Sequence, residues 1–101
     1  SPARLTNDIA SLLRAHSNPA QAIPMARYMK DRFPFLGLKR PEFQPLVRST
    51  LTPLPDPLAI ALAQRLWRLP EREFQYVAID ALAGRKVPLD ILCQLITTKS
   101  W

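Results

Sequence analysis

The sequence predicts an all-α protein made of stacked antiparallel helix pairs of the helical-repeat kind, with about six short helices. Two observations carry this. Apolar residues recur at helical spacing in one short segment after another, with no alternation of period two and no glycine-rich hairpin signal. Eleven prolines against two glycines sit singly at the edges of those segments, where a missing N–H and a fixed φ start or stop a helix. Helices this numerous and short suit paired layers better than one long four-helix bundle, although no strict sequence period supports the repeat reading.

In chain order, Leu5, Ile9, Leu12 and Leu13 form the stripe of a first helix that stops near His16, before Ser17-Asn18-Pro19. Asn18 caps a second segment, which Pro24 restarts or kinks, with Ile23, Met25, Tyr28 and Met29 on one side. Phe33-Pro34-Phe35-Leu36-Gly37 ends it and reads as a buried loop anchor, two aromatics around a proline before a glycine free to take positive φ. Pro41 opens a third helix to about Thr50 with Phe43, Leu46, Val47 and Leu51 inward, irregular at its start because of Pro45. Thr52-Pro53-Leu54-Pro55 is too rich in proline to be helical, and Asp56-Pro57 caps and opens a fourth helix through Leu66 or Trp67.

Leu69-Pro70 is then a corner. Glu71 and Glu73 fall in the first turn of a fifth helix, where the helix dipole favours negative charge, and Phe74, Val77, Ala78, Ala81 and Leu82 form its apolar face. Gly84 suits the residue after its end, with Arg85 and Lys86 complementing the C-terminal dipole. Pro88 opens a sixth helix whose inner face is predicted as Leu89, Leu92, Cys93 and Ile96. Ser100 is placed to cap a further helix that would begin at Trp101.

At 101 residues and 48% hydrophobic, the chain is expected to form a single domain, residues 1–101. One cysteine excludes an internal disulfide and suits a reducing compartment, so a cytoplasmic protein is expected. No apolar run reaches the roughly 18 residues of a membrane span, and no signal-peptide order is present. With one His and one Cys, a Cys/His zinc cluster or a Cys-His nucleophile pair is not expected, and the two isolated glycines make no phosphate loop. The net charge of +6 and isoelectric point near 10.3 favour a polyanionic partner. Arg27, Lys30, Arg32, Lys39 and Arg40, with Asp31 the only acid among them, contribute +4 of that charge.

Four ordered stretches identify a resemblance. Pro24-Met25-Ala26-Arg27-Tyr28-Met29-Lys30; Phe33-x-Phe35-Leu36-Gly37-Leu38-x-x-Pro41-Glu42; Leu66-Trp67-x-Leu69-Pro70-Glu71-Arg72-Glu73-Phe74-Gln75; and Leu95-Ile96-x-Thr98-Lys99-Ser100-Trp101 resemble the DNA alkylation repair enzymes over nearly the whole chain. The resemblance implies an α-solenoid of HEAT-like antiparallel helix pairs whose concave basic face holds double-stranded, alkylated DNA. It further implies a DNA glycosylase that removes N-alkylated purines by hydrolysing the N-glycosidic bond, with no metal or redox cofactor. Such a purine is cationic and already a good leaving group, so the enzyme must stabilise an oxocarbenium-like sugar and position a water.

In the family pattern, Lys-Ser-Trp is followed by a second Trp and then by the Asp that acts at the sugar. This chain reaches only the first of these, Trp101, so no catalytic residue is assigned and the chain is expected to be an N-terminal portion of a longer solenoid. Its exposed C-terminal edge is expected to promote self-association. Tyr28 matches a family tyrosine near DNA, and Leu38-Lys39-Arg40-Pro41 matches a loop that approaches the duplex. Arg40 departs from the Thr that many relatives carry there as a cap, exchanging about 1 kcal/mol of capping for a phosphate contact. The expected DNA-binding residues are therefore Tyr28, Lys39, Arg40, Arg27, Lys30 and Trp101.

Plainer roles compete. His16 reads as a capping or solvated residue and Cys93 as a small core residue. Trp67, Phe74 and Tyr76 read as core, whereas Tyr28 fits core or DNA contact. Arg72 between two glutamates reads as a helix-start salt bridge before it reads as a DNA contact. Lys39 and Arg40 could form a solvated loop, a reading that the surrounding basic cluster weighs against. A non-catalytic helical-repeat module that binds a protein or another polyanion is the alternative function.

Overall fold

The computed structural model describes residues 1–30 and 33–98, and among these residues it is all-helical. Six helices follow in order: α1 (Pro2–Ala15), α2 (Pro19–Tyr28), α3 (Arg40–Leu51), α4 (Asp56–Trp67), α5 (Arg72–Leu82) and α6 (Leu89–Thr98). The predicted cap for a further helix, Ser100, lies outside the described residues, as does Trp101. Prolines open several of these helices as expected. Ser1 and Asn18 cap α1 and α2 through their side-chain oxygens, each followed by Pro at the first helical position. Pro24 and Pro45 lie inside continuous helices, on exposed positions, so the carbonyl each leaves without a donor is on the solvent side.

The core is organised around the hairpin of α4 and α5. Leu62, Ala63, Leu66 and Trp67 of α4 face Phe74, Val77, Ala78 and Ala81 of α5, all in one buried cluster. Helix α1 packs on α4 through Ile9, Ala10 and Leu13, while α3 spans α1 and α5 with Phe43, Val47 and Leu51. The corner at Leu69-Pro70 is clamped by the buried Gln75 amide, which donates to the carbonyls of Leu69 at 2.8 Å and Trp67 at 3.2 Å. Trp67 and Phe74 are core residues, as the spacing predicts.

Three polar side chains lock the ends of the helices. Arg14 forms a bidentate pair with Glu71, Nε to Oε2 at 2.8 Å and Nη2 to Oε1 at 3.0 Å, which pins the end of α1 to the start of α5. Arg85 donates to the carbonyls of Ala81 and Leu54, to that of Leu51 and to the Asp56 carboxylate, so it satisfies open carbonyls of α3 and α5 together. Asp56 is the first residue of α4 and not its cap; it pairs with Arg85 instead.

The third is Glu73. It is fully buried and accepts the backbone N–H groups of Leu36, Gly37 and Leu38 at 2.9, 3.0 and 3.1 Å. The loop anchor expected at Phe33–Gly37 is real, but its buried part is Leu36, Gly37 and Leu38, while Phe33 and Phe35 are half-buried. Gly37 has φ of +90°, and a Cβ there would lie 1.9 Å from the Asn18 carbonyl oxygen.

Several sequence expectations change. Arg72 is buried, with Phe33 stacked 4.0 Å from its guanidinium carbon, and the flanking glutamates are engaged elsewhere: Glu71 by Arg14, Glu73 by the loop. Met25 of α2 and Met29 just after it are half-buried, whereas Ile23 and Tyr28 are exposed. In α6 the buried residue is Leu95, with Ile91 packed partly against the core. The predicted inner face of Leu89, Leu92, Cys93 and Ile96 is exposed, so Cys93 is not a core residue. The four form a coherent stripe, and periodicity cannot tell which of two apolar stripes meets the core.

Two substitutions test the loop. Gly37→Ala is expected to destabilise the fold by more than about 3 kcal/mol, since positive φ alone costs up to about that much before the clash. Glu73→Ala, which strands three buried donors, is expected to cost roughly 3 kcal/mol or more. Urea unfolding followed by circular dichroism measures both, and losses below 1 kcal/mol would mean that the loop does not depend on these contacts.

Candidate nucleic-acid interface

The ends of α2, α3 and α5 converge on the loop that Glu73 holds. The Asn18 N–H donates to the Leu36 carbonyl at 2.8 Å, and the Arg72 N–H donates to that of Pro34 at 2.9 Å. The Gln21 amide donates to the Gly37 carbonyl and, at 2.9 Å, to Glu42, which also accepts the Lys39 backbone N–H at 2.8 Å. That last bond is the glutamate half of a capping box and fixes where α3 begins.

Between α2 and α5 this framework leaves an open groove of about 680 Å³, lined among others by Met25, Tyr28, Met29, Phe35, Lys39 and Tyr76. Two of the predicted DNA-binding residues, Tyr28 and Lys39, therefore share one surface. Tyr28 is 88% exposed, which excludes the core role. Arg27 is exposed in the last turn of α2, and Lys30 is exposed just beyond it with φ of +57°. Arg27, Lys30 and Lys39 make no ion pair with another described residue. Arg40 differs: it opens α3, pairs with Asp80 and lies 5.6 Å from the Tyr76 ring centroid. Trp101 lies outside the described residues, as does Arg32 of the basic cluster.

Tyr76, predicted as core, is half-buried: it packs against the core and also contributes to the groove wall. The missed signal is its spacing to Asp80, one turn later, which puts a polar edge on that side of α5. Burial pushes the Arg72 guanidinium below its ordinary value, with a hydrogen bond to Tyr76 acting the other way.

Among the described residues, the groove lining contains one cation and no carboxylate. Glu42, Glu71, Glu73, Asp56 and Asp80 are all committed to hydrogen bonds that hold the fold. Among the described residues no group of three His, Cys, Asp or Glu side chains could hold a metal ion, and no helix is long and apolar enough to cross a membrane. Exposed cations beside aromatic faces suit a polyanion whose backbone is held by charge and whose bases or sugars meet apolar surface.

A family model described as DNA alkylation repair enzyme matches residues 9–101. The chain belongs to that family. No curated protein matches it significantly. Membership gives this DNA alkylation repair protein a role in DNA repair, consistent with its basic charge.

Two carboxylates at helix starts set a pH dependence. Backbone donation from Lys39, with help from Gln21, lowers the Glu42 carboxyl below its usual value, and the Arg14 hydrogen bond does the same for Glu71. A depressed carboxylate stabilises the fold above its unfolded pKa, and that stability is lost as pH falls through the lower folded value. The urea midpoint of this DNA alkylation repair protein is therefore expected to be flat from about pH 7 to 5 and to fall below about pH 4. Glu71→Gln should remove part of that acid decline, and an identical decline in the variant would exclude Glu71 as a contributor.

Proposed function

We propose that this chain is the DNA-binding, N-terminal part of a DNA glycosylase that excises N-alkylated purines, and that it meets a duplex with the rim of the α2–α5 groove. The observation that carries this reading is the meeting of Tyr28 and Lys39 on one groove, with Arg27 and Lys30, which make no ion pair among the described residues, at the adjoining end of α2. Lysines and arginines there would neutralise phosphates and set the register, while Tyr28 would rest against sugar or base. Arg40 joins them only if it leaves Asp80, and Trp101 is proposed as a further contact from the family pattern. The α4–α5 hairpin flanked by α1 and α3 supports a solenoid of HEAT-like pairs, in which the apolar stripe of Leu89, Leu92 and Ile96 on α6 would seat a further pair.

Binding to an unmodified duplex is expected to be weak and indifferent to sequence. If three or four phosphates are neutralised, the slope of log affinity against log salt is roughly −3 to −4. Lys39→Ala should flatten that slope by about one unit. A slope that ignores Lys39 would remove this loop from the DNA face. No purine should be released from alkylated DNA by residues 1–101 alone, and release would overturn the assignment of the catalytic carboxylate to a segment outside them.

A further inference from the structure

We infer that Asp80 is a specificity-determining residue of this interface: it holds Arg40 as an internal counter-ion and so withholds one cation from indiscriminate phosphate binding. The inference rests on the proposed DNA-binding role and adds to it a residue on α5 that the basic cluster in the sequence does not include. Of Arg27, Lys30, Lys39 and Arg40, only Arg40 has an acidic partner among the described residues. Its Nη1 donates to Asp80 Oδ1, while Gln44 Nε2 donates to Oδ2 at 3.2 Å. The carboxylate is thereby held from both sides by α3, and its side chain is 19% exposed against 42% for Arg40.

Tyr76, one turn before Asp80, lies against the same guanidinium and forms part of the groove wall. Arg40 is thus kept along α5 at the groove's edge. For Arg40 to take a phosphate, it must share or give up Asp80, and the phosphate then lies close to a fixed negative charge. Lys39, Arg27 and Lys30 meet no such opposition among the described residues. A duplex held only by long-range attraction engages these three, and Arg40 is added only where the duplex sits close enough to displace the carboxylate.

Asp80→Asn preserves shape and an acceptor for Arg40 while removing the charge. Affinity for a short unmodified duplex is measured across a salt series for the 101-residue chain, D80N, R40A, the D80N/R40A double variant and K39A. D80N is expected to bind more tightly with a slope steeper by about 0.9, so its gain is about three- to fourfold larger at 50 mM than at 200 mM salt. R40A alone should change the slope little, and the D80N gain should vanish in the double variant. Unchanged or weaker binding by D80N would overturn the inference, and so would an equal gain in the double variant, which would reflect net charge alone. Thermal melts accompany each variant; if D80N melts within the assay range, Asp80→Ser replaces it in the same comparison. Binding that depends on Lys39 but not on Asp80 defeats this inference alone, binding that ignores Lys39 defeats the proposed DNA face, and no duplex binding by any variant overturns both.

Discussion

The fold depends on one buried carboxylate. Glu73, in the first turn of α5, accepts three consecutive backbone N–H groups from Leu36, Gly37 and Leu38. A loop packed into a core carries polar groups that water cannot reach, and leaving them unpaired would cost about 1–3 kcal/mol each. One side chain answers all three. The arrangement works only if the chain bends at Gly37, where positive φ aims successive N–H groups at a common point and the missing Cβ lets the Asn18 carbonyl approach.

From that contact the rest follows by adjacency. The loop's outward carbonyls are taken by Asn18 and Gln21 at the start of α2, and Glu42 ties Gln21 to the start of α3. A single peptide stretch therefore sets the relation of three helices, and α2, which has no fully buried residue, depends on it more than on packing. The groove is the space this frame leaves open between α2 and α5. Its walls come from elements held by buried hydrogen bonds, while Tyr28, Arg27, Lys30 and Lys39 stand free of ion pairs among the described residues. A rigid frame with unneutralised cations suits contact with a polyanion, because little further ordering is needed on binding.

Charge in this protein is divided by use. Arg14 and Arg85 are spent on Glu71, Asp56 and open helix carbonyls, and Arg72 is stacked inside on Phe33. Arg40 stands between the two groups, exposed enough to reach a ligand yet neutralised by Asp80. The net charge of +6 thus overstates no total but says nothing about location. For a DNA repair protein, location decides how binding divides between general attraction and a seated complex.

Helix number, helix order and most of the core were legible in the sequence, because apolar spacing and proline punctuation act locally and survive without tertiary information. The stripes Ile9–Leu13, Phe43–Leu51 and Phe74–Ala81 face inward as read, and Pro70 turns the chain where its geometry requires. The basic segment and the exposure of Lys39 were legible for the same reason. Tertiary structure alone decided which of two apolar stripes on α6 is buried, since both have helical period. It also decided the partners of charged residues distant in sequence. Glu73 looked like a first-turn acid serving the helix dipole, and Arg72 like its neighbour in a surface pair. Asp80 carried no signal beyond its charge, because its partner Arg40 lies 40 residues away. Long-range hydrogen bonds depend on how helices cross, and that geometry is set by the packed core as a whole.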